Sequence, residues 1–404
     1  MVIRRLAAML GVLALLLAAC SSDGGASATA GESQGGTSSQ PAESATGSTD
    51  CTVGVSWNNF QQPRWAAADQ PNIKQTVEDG GGTYIDADAN LSNEQQLTDV
   101  DNLIGQGATV LILLAQDQNA ILPAVQKAAD NGIPVIAYDR LIEDPSTLYI
   151  TFNNVGVGEA EASAVMEAVP EGNYVLIKGD PGDPNASTFL PQGWDDAGLK
   201  DAVDAGTITI LNGPEAGTGT WPDDYGTYTD AWDTATAQAN MEAIIDKANA
   251  DGVTIDAILA ENDSTALGVV AALEAKSYGF PPLSGQDGDP ANLNNVALGK
   301  QYVDVWKNAN ELGRAAGQAA LALCQGTAMD QVAIDIDPSV APTDGNSPVD
   351  FDTPGGVTVK SLILQPTPLT AEDLDVVMDA GWYATKDDIC AGVKDGDPGF
   401  DDCQ

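Results

Sequence analysis

The chain has no histidine, and its 404 residues carry only 16 lysines and arginines against 59 aspartates and glutamates. The first absence removes the commonest general base and rules out a metal held by imidazole. The second leaves a formal net charge of −43, a field that repels phosphate backbones and argues against nucleic acid as a partner. Complete cofactor and metal motifs are missing as well. Gly156-Val157-Gly158 follows an expected strand and opens a helix, but Glu161 stands where a dinucleotide fingerprint needs its third glycine. A pyrophosphate there would meet a carboxylate. Asp86-Ala87-Asp88-Ala89-Asn90 begins like a calcium loop, yet Leu91 replaces its glycine and Leu97 its closing glutamate. Asp395-Gly396-Asp397-Pro398-Gly399 is incomplete in the same way. No nucleophile–base pair is readable, and paired carboxylates abound simply because the chain is acidic. The sequence therefore points to no enzyme, metal or cofactor.

What is present begins with an address. Arg4 and Arg5 precede an apolar run over residues 6–19, too short to span a bilayer as a mature helix. It closes with Leu17-Ala18-Ala19-Cys20, which resembles the lipobox of bacterial lipoproteins. That resemblance implies a signal peptide over 1–20, cleavage, and lipidation of Cys20. Residues 21–50 are Ser, Gly, Ala and Thr with almost no large apolar side chains, the composition of a flexible tether. The mature protein is thus expected outside the cytoplasm, touching the cell membrane only through its lipid. Cys51, Cys324, Cys390 and Cys403 remain, an even number in an oxidising compartment, at spacings that match no zinc pattern. Three connectivities are possible. Cys390 with Cys403 would close a short terminal loop, which leaves Cys51 with Cys324.

From Cys51 onward strands and helices alternate. Strands are expected over 52–57, 83–86, 109–114 and 133–138, with helices over 65–79, 92–106 and 118–130 between them. The apolar run at 133–138 ends abruptly in Asp139-Arg140. A continuous apolar run is how a parallel strand reads when helices cover both faces. In open α/β sheets the carboxyl ends of such strands form the ligand crevice, which sets Asp139 and Arg140 at its lip. The pattern then restarts, with strands at 148–152, 174–178, 207–211, 255–260 and 282–286, and helices at 159–168, 190–205, 234–250 and 264–276. Residues 109–139 and 255–287 echo one another as strand, acid, helix, strand, acid, with Asp117 and Asp263 as the inner acids. Asp139 and Asp287 would then occupy equivalent strand ends. A strand at 302–306, a helix at 309–324, an acidic loop over 326–356, a strand at 357–364, a helix at 371–380 and a loose tail complete the chain.

Whole phrases resemble a known family: Pro63-Arg64-Trp65, Ala137-Tyr138-Asp139-Arg140, Thr151-Phe152-Asn153-Asn154, Ser284-Gly285-Gln286-Asp287 and Ser361-Leu362-Ile363-Leu364-Gln365-Pro366. They are similar to the D-xylose-binding and multiple-monosaccharide-binding branch of the type I periplasmic binding proteins, over roughly residues 52–385. Trp232-Asp233-Thr234-Ala235-Thr236-Ala237-Gln238 and Gly299-Lys300-Gln301-Tyr302 lean toward the multiple-sugar binder. The resemblance implies an α/β fold of two Rossmann-like lobes with parallel sheets, joined by a three-strand hinge near 145–152, 306–309 and 330–357. It divides the chain into a first lobe of 51–148 plus 308–340, a second lobe of 149–307 plus 341–385, and a tail of 386–404. It also implies a monomer that captures a monosaccharide, D-xylose or a related aldose such as glucose, galactose or arabinose, and hands it to the permease of an ABC importer. A sugar sensor for a chemoreceptor or sensor kinase, or a secreted glycoside-acting enzyme, are the alternatives. Carried over residue by residue, the sugar ligands are Arg64, Asp139, Arg140, Asn153, Asn185, Asn262, Asp287 and Lys307, with Trp232 and Trp57 or Phe60 as stacking rings. Such types suit a pyranose. Carboxylates and amides bridge neighbouring hydroxyls, Arg gives a fixed fork of donors, and aromatic rings cover the C–H faces. The sequence departs from the family where Asn153 stands in place of a common Asp and in a longer loop over 213–228. Both bear on which sugar fits.

Overall fold

The computed structural model describes residues 51–214 and 218–404. The expected signal peptide, tether and lipidated Cys20 lie outside the described residues. From Cys51 the chain runs β1 (Thr52–Trp57), α1 (Gln70–Asp79), β2 (Thr83–Asp88), α2 (Asn93–Gly105), β3 (Val110–Leu113), α3 (Leu122–Asp130), β4 (Val135–Tyr138) and β5 (Thr147–Phe152). It continues through α4 (Asn154–Ala168), β6 (Gly172–Lys178), α5 (Leu190–Asp196), α6 (Leu199–Ala205), β7 (Ile208–Ile210), β8 (Thr227–Tyr228), α7 (Thr234–Asp251), β9 (Ala257–Ala260), α8 (Asp263–Ala275), α9 (Pro290–Ala297) and β10 (Asp304–Trp306). The last part is α10 (Ala309–Cys324), β11 (Val349–Asp352), β12 (Thr358–Leu364), β13 (Thr367–Leu369), α11 (Leu374–Asp379) and α12 (Lys386–Ile389).

Two sheets follow from the apolar pattern. The first has strand order β11-β12-β5-β4-β3-β1-β2, parallel except for β11. Side chains alternate across it. Val53, Val55, Val110, Ile112, Ile136 and Tyr138 enter one core, while Leu111, Leu113, Val135 and Ala137 enter another on the opposite face. Both faces are dry, which is why these strands read as unbroken apolar runs. The second sheet is parallel, with β6 pairing β7, β8 and β9. It alternates in the same way, with Tyr174, Leu176, Ala257 and Leu259 on one face and Val175, Ile177, Ile258 and Ala260 on the other. Helices between successive parallel strands place their ligand-bearing loops at the carboxyl ends of each sheet.

The crossings between lobes differ from expectation at two places, the first being that residues 149–152, expected in the second lobe, complete a strand of the first. β5 belongs wholly to the first sheet, and the chain leaves that sheet after Phe152. It returns between β10 and α10. It then stays with the first lobe, because β12 pairs β5 in parallel and β11 pairs β12, while Val332, Ile334, Ile336 and Val340 fill the first core. Residues 341–364 therefore sit in the first lobe rather than the second. The third crossing falls between β12 and β13, not at 330–357, and β13 pairs antiparallel with β10. Three smaller departures have local causes. Gly198, at φ 92°, breaks the expected 190–205 helix into α5 and α6. Residues 282–286 run beside β9 and β10 through only two isolated bridges, Ile258 with Leu283 and Gln286 with Val305. The terminal residues are not loose. Asn294 donates to the carbonyls of Ile389 and Ala391, and the Gly399 amide donates to Ala297, so the tail clasps α9. Cys390 is bonded to Cys403, and Cys51 to Cys324.

Candidate functional site

Each lobe presents its loops to one shared cavity. In the first lobe, the loop after β1 carries Gln62, Arg64 and Trp65, and the end of β4 carries Asp139 and Arg140. In the second, the segment after β6 carries Asp183 and Asn185, and Trp232 follows β8. Asn262 follows β9, and Gln286 and Asp287 precede α9. Lys307 comes from the crossing after β10. All twelve line a cavity of about 20 Å³, little more than the room one water takes. The lobes meet directly there. Arg64 Nη1 lies 2.9 Å from Asp287 Oδ1, Arg140 Nε lies 2.8 Å from Asp183 Oδ2, and Gln62 Nε2 donates to the Ala231 carbonyl at 3.2 Å.

The backbone that aims these groups is specialised. Asp139 and Asp287 both adopt positive φ, 61° and 108°, a region costly for a residue with a Cβ and concentrated at functional sites. The Asp139 turn is held by Thr151 Oγ1, which donates to the Asp139 carbonyl at 2.7 Å. Ala231 and Trp232 also have φ of 58°. Their loop is fastened by Asp180, whose carboxylate accepts from the Ala231 amide at 2.7 Å and from the Gly182 amide at 2.8 Å. Gly179 lies flat beneath the indole of Trp232: a Cβ there would stand 2.2 Å from the ring. Asn262 caps α8 by accepting from the Thr265 amide, which leaves its amide NH2 for the cavity.

Electrostatically the cavity is buried and nearly balanced. Arg64, Arg140 and Lys307 face Asp139, Asp183 and Asp287, all at most a tenth exposed. Burial works against the Arg64 charge, but Asp69, Asp139 and Asp287 outweigh it and hold the guanidinium well above its ordinary pKa. Burial pushes the Asp183 carboxyl up, with Arg140 opposing. Several polar atoms are buried without a hydrogen-bond partner: Trp232 Nε1, Gln286 Oε1, Asp139 Oδ2 and Arg140 Nε. The last two lie at ion-pair distance from Arg64 and Asp183 without a directed bond. Among the described residues the buried Lys307 ammonium has neither ion pair nor hydrogen bond. A native cavity lined by unmet donors and acceptors is built for something polar.

Of the expected ligands, Arg64, Asp139, Arg140, Asn185, Trp232, Asn262, Asp287 and Lys307 come together here. Asn153 does not. Its Oδ1 accepts from the Gly156 amide and caps α4, while its neighbour Asn154 reaches the site region through a 2.9 Å bond to Asn185 Oδ1. Trp57 and Phe60 do not line the cavity either. Trp57 is wholly buried in the first core against Phe60, Trp65 and Tyr138, because an inward position on β1 leaves it no other direction. The indoles in the cavity are Trp65 and Trp232. Four lining residues were not foreseen. Gln62, Trp65 and Gln286 adjoin recognised positions, and their proximity to Arg64 and Asp287 was the available signal. Asp183 had none, since Asp180-Pro181-Gly182-Asp183-Pro184 reads as an ordinary turn.

The model of the periplasmic binding protein domain family matches residues 53–328. The chain belongs to the periplasmic binding protein family. The D-xylose-binding periplasmic protein of Escherichia coli is 32% identical over 280 residues, covering 68% of this chain and 78% of that protein. The multiple sugar-binding periplasmic receptor ChvE of Rhizobium radiobacter is 30% identical over 289 residues, with the same coverage of both. Among solved structures, an ABC transporter solute binding protein from Clostridium phytofermentans with bound β-D-glucose is similar at a TM-score of 0.70 and 30% identity. The match covers 84% of this chain and 99% of that one. A carbohydrate transporter solute binding protein from Chloroflexus aurantiacus in complex with D-glucose matches at 0.69 and 26%, covering 83% and 97%. The two-lobed α/β architecture is that of type I periplasmic binding proteins. Such proteins work outside the cytoplasm and bind substrates rather than transform them. No helix among the described residues is long and apolar enough to cross a membrane.

Proposed function

We propose that this periplasmic binding protein captures a monosaccharide between its lobes, D-xylose or a related aldose such as glucose, galactose or arabinose, and delivers it to an ABC importer. The observation that carries the reading is the set of buried polar atoms without a hydrogen-bond partner, Trp232 Nε1, Gln286 Oε1 and Asp139 Oδ2, in a cavity that Trp65 and Lys307 also line. A pyranose has what such a set lacks, a ring of hydroxyls that each donate and accept, and C–H faces for Trp65 and Trp232. The three cations and three carboxylates favour a neutral ligand. Arg64, Asp139, Arg140, Asn185, Asn262, Asp287 and Lys307 are the proposed hydroxyl ligands, joined by Gln62, Asp183 and Gln286. The closed cavity is too small for a sugar, so entry requires the lobes to part and the Arg64–Asp287 and Arg140–Asp183 contacts to yield to hydroxyls. The names of the relatives, and the glucose bound in two of the similar structures, support the class of ligand.

The motif Leu17-Ala18-Ala19-Cys20 supports a lipid anchor at Cys20, and the protein is proposed to act as a monomer whose partner is the permease. A thermal-shift screen over aldopentoses, aldohexoses and polyols, followed by calorimetry, tests the central reading. One or more aldopyranoses should raise Tm by several degrees and bind with 1:1 stoichiometry. A panel in which no aldose shifts the melt would overturn it.

A further inference from the structure

Arg64 touches three carboxylates, and only two of them line the cavity. The third, Asp69, is fully buried behind it. Asp69 takes the guanidinium by its edge: Arg64 Nε donates to Oδ2 at 3.1 Å and Nη2 to Oδ1 at 2.9 Å. This is the planar two-bond fork that fixes a guanidinium in orientation as well as position. Tyr138 Oη donates to the same Oδ1 at 2.6 Å, so Asp69 is itself held from the last residue of β4. The Trp65 ring lies against one face of the guanidinium, 4.3 Å from Cζ to its centroid. What is left of Arg64 is the Nη1 end, which points to Asp287.

The pairing of residues five apart needs an unusual helix start. In a regular α-helix, five residues turn through about 140° beyond a full circle, which would point Arg64 and Asp69 apart. Here residues Trp65–Asp69 form a π-turn, with the Gln70 amide donating to the Trp65 carbonyl. The wider turn rotates each residue less, which brings Asp69 closer round to Arg64. Pro71 supplies a cause, since its ring conflicts with the carbonyl four residues back, at Ala67, and it has no amide to offer.

We propose that Asp69 and Tyr138 are positioning residues for sugar recognition, locking the Nε–Nη2 edge of Arg64 so that its Nη1 end faces the cleft when Asp287 turns to the ligand. This rests on the monosaccharide reading above. Neither residue needs to touch sugar. Their effect passes through Arg64, and that makes the role separable from simple stability.

The test is a set of dissociation constants for the tightest aldose of the panel, measured by calorimetry beside melts of each variant. Asp69→Asn keeps the shape but turns an amide toward donors, and should raise Kd about 10- to 100-fold. Tyr138→Phe removes one hydroxyl and should raise Kd about three- to tenfold. In an Arg64→Lys background, which has no fork to hold, Asp69→Asn should add less than about twofold, the coupling expected of groups acting as one unit. Independent, multiplying effects of Arg64→Lys and Asp69→Asn would overturn the role, as would wild-type Kd in either folded single variant. If Asp69→Asn fails to fold, Tyr138→Phe decides alone. A wild-type protein that binds no aldose would instead overturn the reading of the site, and this role with it.

Discussion

Below Asp287 lies a knot of acids with no cation among them. Asp263 Oδ2 accepts from the Asp289 amide at 2.6 Å, Asp304 Oδ1 from the Gly288 amide at 3.1 Å, and the Asp289 carboxylate from the Tyr383 hydroxyl. The first two bonds fix the backbone that follows Asp287. Burial pushes Asp289 and Asp304 up to about 7, and burial with repulsion from Asp304 and Asp289 raises Asp263 as well. Arg64, whose charge opposes the shift at Asp289, faces Asp287 instead. An acid raised in the native state holds a proton that the unfolded chain has already released. Its stabilisation is complete below the unfolded carboxylate range, near 4, and is lost as pH climbs through about 7. The melting temperature should therefore fall by several degrees between pH 5 and pH 8, and Asp304→Asn should flatten that slope. An equally steep profile in Asp304→Asn would assign the effect to the general negative charge of the chain. At this scale the sequence was informative where a residue ended an apolar run, as at Asp139, or stood in a family phrase, as at Asp287. It was silent about Asp183 and about the knot itself, because burial of a carboxylate leaves no mark on its neighbours in an acidic chain. Asn153 and Asn154 show the limit of such reading: one caps a helix, the next bonds to Asn185, and adjacency cannot tell them apart.

Among elements, the helices that follow the first strand of each lobe's main sheet open alike. Residues Asn185–Phe189 form a π-turn after β6, closed by the Leu190 amide on the Asn185 carbonyl, with Pro191 next, as Pro71 follows the turn after β1. Each turn begins at cavity residues, Arg64 and Trp65 in one lobe and Asn185 in the other. The prolines were visible in sequence, but a proline in the first turn of a helix reads simply as a helix start, so the widening was not. Strands buried on both faces were legible from their apolar runs alone. β11, Val349–Asp352, was not, since it lies on the sheet edge and alternates half-buried with exposed positions in an acidic stretch. The tail was misjudged for want of apolar periodicity; its order comes from hydrogen bonds to α9 and a disulfide. The Cys390–Cys403 bridge closes a loop with a sequence separation of 13, for which chain entropy gives about 3 kcal/mol. Cys390→Ser with Cys403→Ser should lower Tm by several degrees, read by calorimetry, whereas an unchanged melt would mean that packing on α9 suffices.

For the whole molecule, three crossings join two lobes, and beside them one buried apolar cluster packs Ala68 and Ala309 of the first lobe with Leu293, Trp306 and Leu369. The cavity offers about 20 Å³, and a sugar needs more room than that. Small-angle scattering should accordingly give a larger radius of gyration for the unliganded protein than this closed form has, and saturating aldose should reduce it. Identical profiles with and without ligand would mean a rigid binder. The two-lobed plan was legible because helix and strand alternate twice over. The third crossing was not, because residues 326–356 carry too few apolar side chains to announce which lobe they serve.

The Cys51–Cys324 bridge has a mechanical side. Cys51 stands just ahead of β1, which lies between β2 and β3, at the amino end of the parallel strands, opposite the carboxyl ends that carry the cavity loops. Any tension arriving from the chain before it passes through a covalent link into the end of α10, and so is spread over two elements of one lobe. The second lobe bears none of that load.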